Sequence, residues 1–239
     1  MAHITRFEAP WFLKISKKEY KWTVRAEPGP HPIQRAIPLG ILVRDYLGIA
    51  TTLKEAKMII ASGKVYVDGR PRKSYKYPVG LMDVVYVKGL EKYFRIVPDV
   101  RRVIVPIEID KEEANFKLVR IRNKTTVKGG KIQLNLEDGR NILLSPEEAS
   151  KYKTLDTLKI EIPSQNILGK YEITPGNYAV IIGGRNVGVH GKISDIKYAN
   201  YKKAKYSIVT LRDANGQEVR TNLLNVMAVG TEKPEVKLQ

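Results

Sequence analysis

The sequence predicts a multidomain α+β fold: a basic extended N-terminal arm, a small module of two helices plus a small β element, a central β-rich domain and a C-terminal small β-barrel. The 239 residues exceed the roughly 100–200 typical of one domain. Helical periodicity of apolar residues is confined to about residues 39–62, whereas alternating apolar residues and glycine-containing turns dominate after residue 90. The predicted division is therefore 1–38, 39–89, 90–174 and 175–239.

A surplus of positive charge runs along the whole chain. Lys and Arg number 42 against 25 acids, giving a net charge of +17. The four predicted segments carry +4, +5, +3 and +5 in chain order. Because such a surplus repels itself in a compact state, we expect a polyanionic partner that contacts several faces of the protein, and RNA fits this requirement.

Other function classes find little support in the sequence. There is no cysteine, which excludes disulfides and thiolate metal sites. His3, His31 and His190 lie in separate contexts without metal-ligand spacing, and no phosphate-binding glycine loop or nucleophile–base pair is recognisable. Residues 1–7 lack the apolar core of a signal peptide, and no apolar run approaches the roughly 20 residues that span a membrane. We expect a cytoplasmic protein that is not an enzyme and needs no metal or cofactor.

The arm, residues 1–38, mixes cations with aromatic residues. Proline fixes φ and disfavours helix, so the run Pro28–Pro32 predicts an extended backbone. Exposed aromatic rings among cations can stack on bases while the cations grip phosphate, although the two tryptophans could equally pack onto the next domain. The RNA-binding candidates in the arm are Arg6, Trp11, Lys14, Lys17, Lys18, Lys21, Trp22, Arg25, His31 and Arg35.

Residues 39–89 have the clearest local signals. Apolar residues at helical spacing predict a first helix that ends at Gly48: Leu39, Leu42, Val43, Tyr46 and Leu47. Thr52 and Glu55 form a capping box for a second helix, which should end near Gly63. Asp68-Gly69 predicts a hairpin turn after a strand at Val65–Val67, and Asp83–Val87 predicts a further strand.

Cations crowd one side of this two-helix module. Lys54 and Lys57 lie three residues apart and should share an exposed helix face, while Arg44 ends the first helix. Between Lys54 and Arg72 the only acids are Glu55 and Asp68, so the charge is poorly balanced. The pattern favours contact with an RNA backbone over an ordinary charged surface, and the remaining cations of the rim are Lys64, Arg70, Arg72 and Lys73.

The rest of the chain reads as β structure. Strands are predicted at 102–110 and 117–122, and a hairpin at Ile132–Leu144 turns at Asp138-Gly139. Ser145 to Glu148 predicts a helical turn. In the last segment a strand at Tyr178–Ile182 is followed by frequent glycines, and Asn215-Gly216 predicts another hairpin turn. The tail from Thr231 is predicted to fray.

Taken together, these residues resemble the small-subunit ribosomal protein family S4e over nearly the full chain. The resemblance lies in Pro28–His31 leading into Ile37-Pro38-Leu39, in 39–87, which resembles the S4-type RNA-binding module (the αL motif), and in Gly176–Ile196, which resembles a KOW motif. Gly129–Leu134 is also typical of the family. Each module occurs elsewhere, but their order is specific.

The resemblance implies a structural role: binding small-subunit rRNA during assembly and in the mature ribosome, next to other small-subunit proteins. Carried over to this sequence, the RNA face of the S4 module comprises Arg44, Thr51, Thr52, Lys54, Lys57, Lys64, Arg70 and Lys73. The KOW loop would present Arg185, Asn186, His190 and Lys192. Val187 and Val189 occupy loop positions where KOW segments often carry basic residues, so this loop could contact protein instead of RNA.

Two alternatives remain at this stage. S4 modules also occur in RNA-modifying enzymes, but no segment is large enough to supply a separate catalytic domain. A free translation or transcription factor could also combine these modules. A factor should exist free in solution, whereas a ribosomal component should sediment with the particle.

Overall fold

The computed structural model describes residues 3–213 and 216–238 and divides the chain into two compact units. The first comprises Met1–Val97 and Ile104–Asn115, and the second comprises Pro98–Val103 and Phe116–Gln239. Strands dominate both units and the helices are few and short. These units differ from the four predicted segments, whose functional division stays a prediction. Asn215, half of one predicted turn, lies outside the described residues.

Residues 3–115 form nine strands and two short helical segments, all in the first unit except the end of the eighth strand and the first residue of the ninth. In chain order the strands are β1 (His3–Thr5), β2 (Trp22–Val24), β3 (Ile37–Pro38), β4 (Val65–Val67), β5 (Arg70–Pro71), β6 (Pro78–Val79), β7 (Val84–Val87), β8 (Lys92–Asp99) and β9 (Val103–Ile109). The helices are α1 (Leu39–Ile41), which continues as a π-helical turn over Leu42–Tyr46, and α2 (Leu53–Ala61), with 3-10 turns at Ile33–Arg35 and Glu113–Asn115.

The N-terminal arm is more ordered than an extended tail. β1 and β2 pair in antiparallel fashion, with His3 opposite Val24. Phe12, Leu13 and Val24 are buried. The arm therefore buries apolar side chains as well as presenting cations, which a proline-rich composition does not reveal.

The two helices follow the predicted positions, but the first is irregular. Leu39, Leu42 and Val43 are buried as the apolar spacing predicts. The N–H of Leu47 donates to the carbonyl of Leu42, five residues back, so the backbone widens before Gly48 ends it at a φ of +65°. α2 begins at the predicted capping box of Thr52, which is confirmed.

A five-stranded sheet follows the helices, in the order β5-β4-β7-β8-β9. The predicted hairpin turn is confirmed: Asp68 and Gly69 both have positive φ, 50° and 74°, as the mirror-image turn that matches strand twist requires. Strands β8 and β9 lie beyond residue 90, the predicted boundary of the module, and extend its sheet. Their apolar residues Ile96, Val97 and Ile104 are buried there.

The second unit consists of two five-stranded antiparallel sheets. Its strands are β10 (Phe116–Thr126), β11 (Ile132–Leu136), β12 (Asn141–Leu144), β13 (Thr157–Glu161), β14 (Ile167–Tyr171), β15 (Tyr178–Ile181), β16 (His190–Lys197), β17 (Ile208–Asp213), β18 (Glu218–Asn222) and β19 (Val226–Gly230). Its helices are α3 (Pro146–Ser150) and α4 (Lys203–Tyr206), with a 3-10 turn at Leu223–Asn225.

The first of these sheets has the order β12-β11-β10-β13-β14. Its core contains Ile121, Leu134 and Leu158 among other apolar residues. The predicted hairpin between β11 and β12 and the helical turn at Ser145 are both confirmed, the latter with a complete capping box to Glu148.

The second sheet has the order β18-β17-β16-β15-β19, so the last strand of the chain returns beside β15. Ala179, Ile181, Ile193 and Val209 form part of its buried core. Because β19 pairs with a strand about 50 residues earlier, the position of this edge could not be read from local patterns.

The prediction that the C-terminal tail frays is wrong for residues 231–238. Val236 is buried, and the N–H of Glu235 donates to the carbonyl of Val229 at 2.9 Å. The Glu235 carboxylate also pairs with Lys159 at 2.7 Å. One apolar residue and one ion pair thus hold a segment that composition alone marks as polar.

Candidate nucleic-acid interface

The start of α2 gives an internal role to Glu55, one of the two acids between Lys54 and Arg72. The Thr52 hydroxyl accepts from the Glu55 N–H at 3.2 Å, and the Glu55 carboxylate accepts from the N–H of Thr51 at 2.9 Å and its hydroxyl at 2.8 Å. The hydrogen bond from the Thr51 side chain is the main reason that the pKa of Glu55 is lowered. Glu55 therefore serves the helix cap, and Thr51 and Thr52 are held by it.

Asp68, the other acid between Lys54 and Arg72, is buried. Asp68 is 7% exposed and accepts a hydrogen bond from the N–H of Val84 at 2.9 Å, which fixes the β4–β5 turn against β7. Both acids between Lys54 and Arg72 are thus turned to internal hydrogen bonds.

The cations of the same stretch are left without neutralising partners. Lys54, Lys64, Arg70 and Lys73 are exposed, and within residues 3–213 and 216–238 none of them makes an ion pair. We call these four residues the cationic face. An exposed, unneutralised group of cations has the electrostatic property that a phosphate backbone recognises.

Three further predicted cations of the module are partly engaged. The Lys57 ammonium lies 4.3 Å from the centroid of the Tyr75 ring, and the Arg72 guanidinium lies 4.4 Å from that of Tyr77. Both side chains are half-buried. Arg44 pairs with its neighbour Asp45 at 2.9 Å. The ion pair offsets the charge of Arg44, whereas the ring contacts restrain Lys57 and Arg72 without neutralising them.

The arm separates into buried and exposed cations. Arg6 is 6% exposed, and its guanidinium donates to the carbonyl of Ser16 at 2.6 Å. The Lys17 ammonium donates to the carbonyls of Arg6 and Ala9, at 2.8 and 3.0 Å. Both residues, predicted to bind RNA, link parts of the arm, because each donates to backbone oxygens within it.

His31 also has an internal position. It is 8% exposed, and its Nε2 lies 2.9 Å from the Asp83 carboxylate. A Cβ at Gly80 would lie 2.2 Å from the His31 ring, so the glycine leaves the space that the ring fills. The predicted contact of His31 with RNA gives way to a role in packing.

The outer surface of the arm carries aromatic rings as well as cations. Trp11 and Trp22 are 70% and 53% exposed, so they do not pack away in the described chain. Phe7 and Tyr20, which the sequence analysis did not select, are exposed to a similar degree. The remaining predicted cations of the arm are all exposed: Lys14, Lys18, Lys21, Arg25 and Arg35.

The KOW-like loop lies between β15 and β16. Arg185 and Lys192 are exposed, whereas the His190 Nδ1 lies 2.7 Å from the Tyr178 hydroxyl and Asn186 is half-buried. Val187 is buried and Val189 packs against the core of the sheet. The side chains of Val187 and Val189 are directed to the core of the sheet, which explains why these positions carry valine instead of basic residues.

Gly188 shows why this loop needs its glycine. Its φ is +90°, and a Cβ there would lie 2.4 Å from the backbone nitrogen of Val100. The loop can approach the 99–100 backbone only without a side chain.

Two other features, a membrane-spanning helix and a metal site, are absent from the described residues. No helix there is both long and apolar enough to cross a lipid bilayer. Within the same residues, no group of three or more His, Asp or Glu side chains is arranged to hold a metal ion.

Comparison with known proteins identifies the family. The Small ribosomal subunit protein eS4 of Sulfurisphaera tokodaii is 61% identical over 232 residues, covering 96% of both chains. The chain belongs to the ribosomal protein family S4e. Membership confirms the prediction of a structural, non-enzymatic ribosomal protein. The eS4 proteins of Saccharolobus islandicus and Metallosphaera sedula are 57% and 56% identical, each covering the whole of both chains.

Three family models match successive parts of this S4e chain. They are the RS4NT domain at residues 2–34, the S4 domain at 41–85 and the Ribosomal family S4e at 90–167. The crystal structure of the 30S ribosomal protein S4e from Thermoplasma acidophilum is similar at a TM-score of 0.69 and 29% identity, covering 82% of this chain and 96% of the other. The cationic face lies within and just beyond α2 of the matched S4 domain.

Proposed function

We propose that this S4e protein is a structural constituent of the small ribosomal subunit, in the cytoplasm, and that it binds small-subunit rRNA during assembly and in the mature particle. The observation that carries the proposal is the cationic face, whose four side chains are exposed and unpaired within the described residues while both neighbouring acids serve internal hydrogen bonds. The named relatives, all small-subunit proteins, support it.

The proposed RNA-contacting residues follow from exposure. In the S4 module they are the cationic face, with Lys57, Arg72 and Arg44 as weaker contributors. In the arm they are the exposed cations together with Trp11 and Trp22, whose rings can stack on bases. We leave Arg6, Lys17 and His31 out of the proposed contacts, because each makes hydrogen bonds within the protein.

The last sheet is proposed to be a KOW-type small barrel, with Arg185 in the loop before β16 and Lys192 near the start of β16. Two exposed cations are enough for a local phosphate contact, and neighbouring small-subunit proteins would border the remaining surface. Under this proposal the four predicted segments act as separate binding elements: arm, S4 module, central scaffold and barrel.

The cationic face is tested by the salt dependence of RNA affinity. Each phosphate contact contributes about 0.7–0.9 to the slope of log affinity against log salt. The variant Lys54→Gln/Arg70→Gln should therefore lower the slope by about 1.4–1.8 for a small-subunit rRNA fragment. The affinity would be measured by filter binding of the full chain at a series of salt concentrations.

A matched control is available in the same unit. Lys92→Gln/Lys111→Gln removes the same charge, but Lys92 pairs with Glu108 at 3.0 Å and Lys111 lies between acids in the sequence. This control should leave the slope nearly unchanged. Equal slopes for the two double variants would contradict the assignment of the face.

A further inference from the structure

The connection between β16 and β17 presents aromatic rings to solvent, outside every site discussed so far. Tyr198, Tyr201 and Tyr206 are 63%, 67% and 51% exposed. The rings of Tyr201 and Tyr206 are stacked, with centroids 6.3 Å apart and planes at 21°. Soluble proteins rarely expose adjacent large rings without a binding role.

These tyrosines are not needed to hold the connection in its conformation. Ser207 is buried, and its hydroxyl accepts a hydrogen bond from the N–H of Ala199 at 3.0 Å, closing the loop. The Ser207 carbonyl also accepts from the N–H of Leu223 at 3.0 Å. Since one buried hydroxyl and the backbone close the loop, the rings are available for a partner.

The surroundings of the rings are strongly cationic. No acid occurs between Asp195 and Asp213, a stretch that contains four exposed lysines: Lys197, Lys202, Lys203 and Lys205. The Lys202 ammonium lies 5.1 Å from the centroid of the Tyr201 ring, and that of Lys205 lies 5.6 Å from the centroid of the Tyr206 ring. Each stacked ring thus has a cation beside it.

We infer that this connection is a binding site for unpaired RNA bases, with Tyr201 and Tyr206 as the stacking platform and the lysines as phosphate contacts. Aromatic rings stack on any base, and adjacent cations follow the backbone of a single strand. A protein partner would have to supply acids for four lysines, whereas an RNA strand carries a phosphate at every nucleotide. The inference rests on the proposed function, since it adds a second kind of RNA contact to the cationic face.

The test separates stacking from charge. The full chain would be titrated with a fluorescent oligouridylate of about 12 nucleotides, within the usual site size for such surfaces. Tyr201→Leu/Tyr206→Leu should weaken binding about 5- to 100-fold for each stack lost, without changing the salt slope. Tyr201→Phe/Tyr206→Phe should bind within about twofold of wild type, because the ring is kept.

Two controls accompany the titration. Leu168→Ala removes an exposed apolar side chain elsewhere in the second unit and should leave affinity unchanged. A blunt-ended RNA duplex of the same length should not distinguish the Leu variant from wild type, because its paired bases are not free to stack on the tyrosines. Since both rings are exposed, thermal unfolding should show that all variants remain folded.

The outcomes distinguish this site from the proposed function. If the Leu variant binds oligouridylate as wild type does, or if wild type ignores it, the inference is overturned even when the cationic face still governs the salt slope with rRNA. If the Leu variant keeps its RNA affinity but is lost from isolated small subunits, the surface binds protein and the inference also fails. An unchanged slope for Lys54→Gln/Arg70→Gln would instead count against the proposed function.

Discussion

Individual cations in this protein divide between structural and exposed positions, and their identity does not reveal which. Lys117 and Asp138 form an ion pair at 3.1 Å with both side chains nearly fully buried. Arg95 is also buried, against Glu113 at 3.1 Å, and its loss of hydration lowers its pKa. Such residues add to the number of cations but offer no charge to a partner molecule, because the acid beside each one offsets it.

Arg120 provides a test of this distinction at the residue scale. Its Nη1 donates to the carbonyls of Leu224 and Val226 at 2.8 and 2.7 Å, and it pairs with Glu137. Arg120→Met would leave these acceptors unpaired, so the free energy of unfolding should fall by about 3–5 kcal/mol. Far-UV circular dichroism during urea unfolding would measure this loss. Tryptophan fluorescence would not report on the second unit, because both tryptophans lie in the first.

Arg122, two residues further along β10, is the matched control. It is exposed, and within the described residues it makes no ion pair. Arg122→Met should change the free energy of unfolding by no more than about 0.5 kcal/mol. Similar losses for the two substitutions would show that the buried contacts of Arg120 contribute little.

Among the elements, α2 depends most visibly on local chemistry. It has only nine residues, too few to be stable alone, and its capping box satisfies N–H groups that the first turn leaves free. The same box holds the Glu55 carboxylate in hydrogen bonds to Thr51 and Thr52, so it keeps its negative charge but forms no ion pair with a lysine of the described residues.

The pH dependence of stability should follow Glu55. Its folded pKa lies below the ordinary value of 4.5, so its contribution is present above pH 4.5 and is lost as the pH falls below that value and through the folded pKa. Glu55→Gln should reduce the loss of stability on acidification. Far-UV circular dichroism during urea unfolding, at neutral pH and on the acid side of 4.5, would measure the stability of each variant.

Glu8 supplies the control for this prediction. It is exposed in the same unit, and its carboxylate makes no hydrogen bond or ion pair with any described residue. Glu8→Gln should keep the acid sensitivity of the wild type. If Glu55→Gln also keeps the acid sensitivity of the wild type, the capping box is not the source of that sensitivity.

At the scale of the whole molecule, the net charge of +17 is a source of self-repulsion in the free protein. RNA phosphates would neutralise it in the particle. The distribution over all four segments means that no single element carries the binding, so partial loss of one surface should weaken RNA affinity without abolishing it.

Salt should therefore stabilise the isolated protein. Raising the ionic strength shortens the Debye length from about 30 Å at 0.01 M to about 8 Å at 0.15 M, which screens repulsion between exposed cations more than the buried ion pairs. The Tm measured by calorimetry should rise by a few degrees over this range. A Tm that falls with added salt would show that surface ion pairs outweigh the repulsion.

Much of the fold and site could be predicted from short-range patterns. The capping boxes at Thr52 and Ser145, the turn at Asp68-Gly69 and the alternation in β10 to β12 depend on residues within a few positions of each other. Family membership was also recognisable from the order of modules. The exposure of the cationic face could be anticipated for the same reason, because its charge imbalance is visible in one short stretch, and its contact with RNA stays a prediction.

Local patterns could not show which cations would be buried or where distant strands would pair. Arg6 and Arg25 both belong to the basic arm. Among the described residues Arg6 donates to backbone carbonyls, whereas Arg25 is exposed and makes no such hydrogen bond.

The sequence by itself determined the charge, the caps, the turns and the family, because these depend on composition or on neighbours along the chain. Only the tertiary structure decided that β8 joins the sheet of β4, β5 and β7 and that Val236 of the tail is buried. It also decided that Arg120 donates a hydrogen bond to the carbonyl of Leu224, 104 residues away. The physical reason is that desolvation and hydrogen bonding are settled by spatial neighbours, which the folded chain brings together from remote positions.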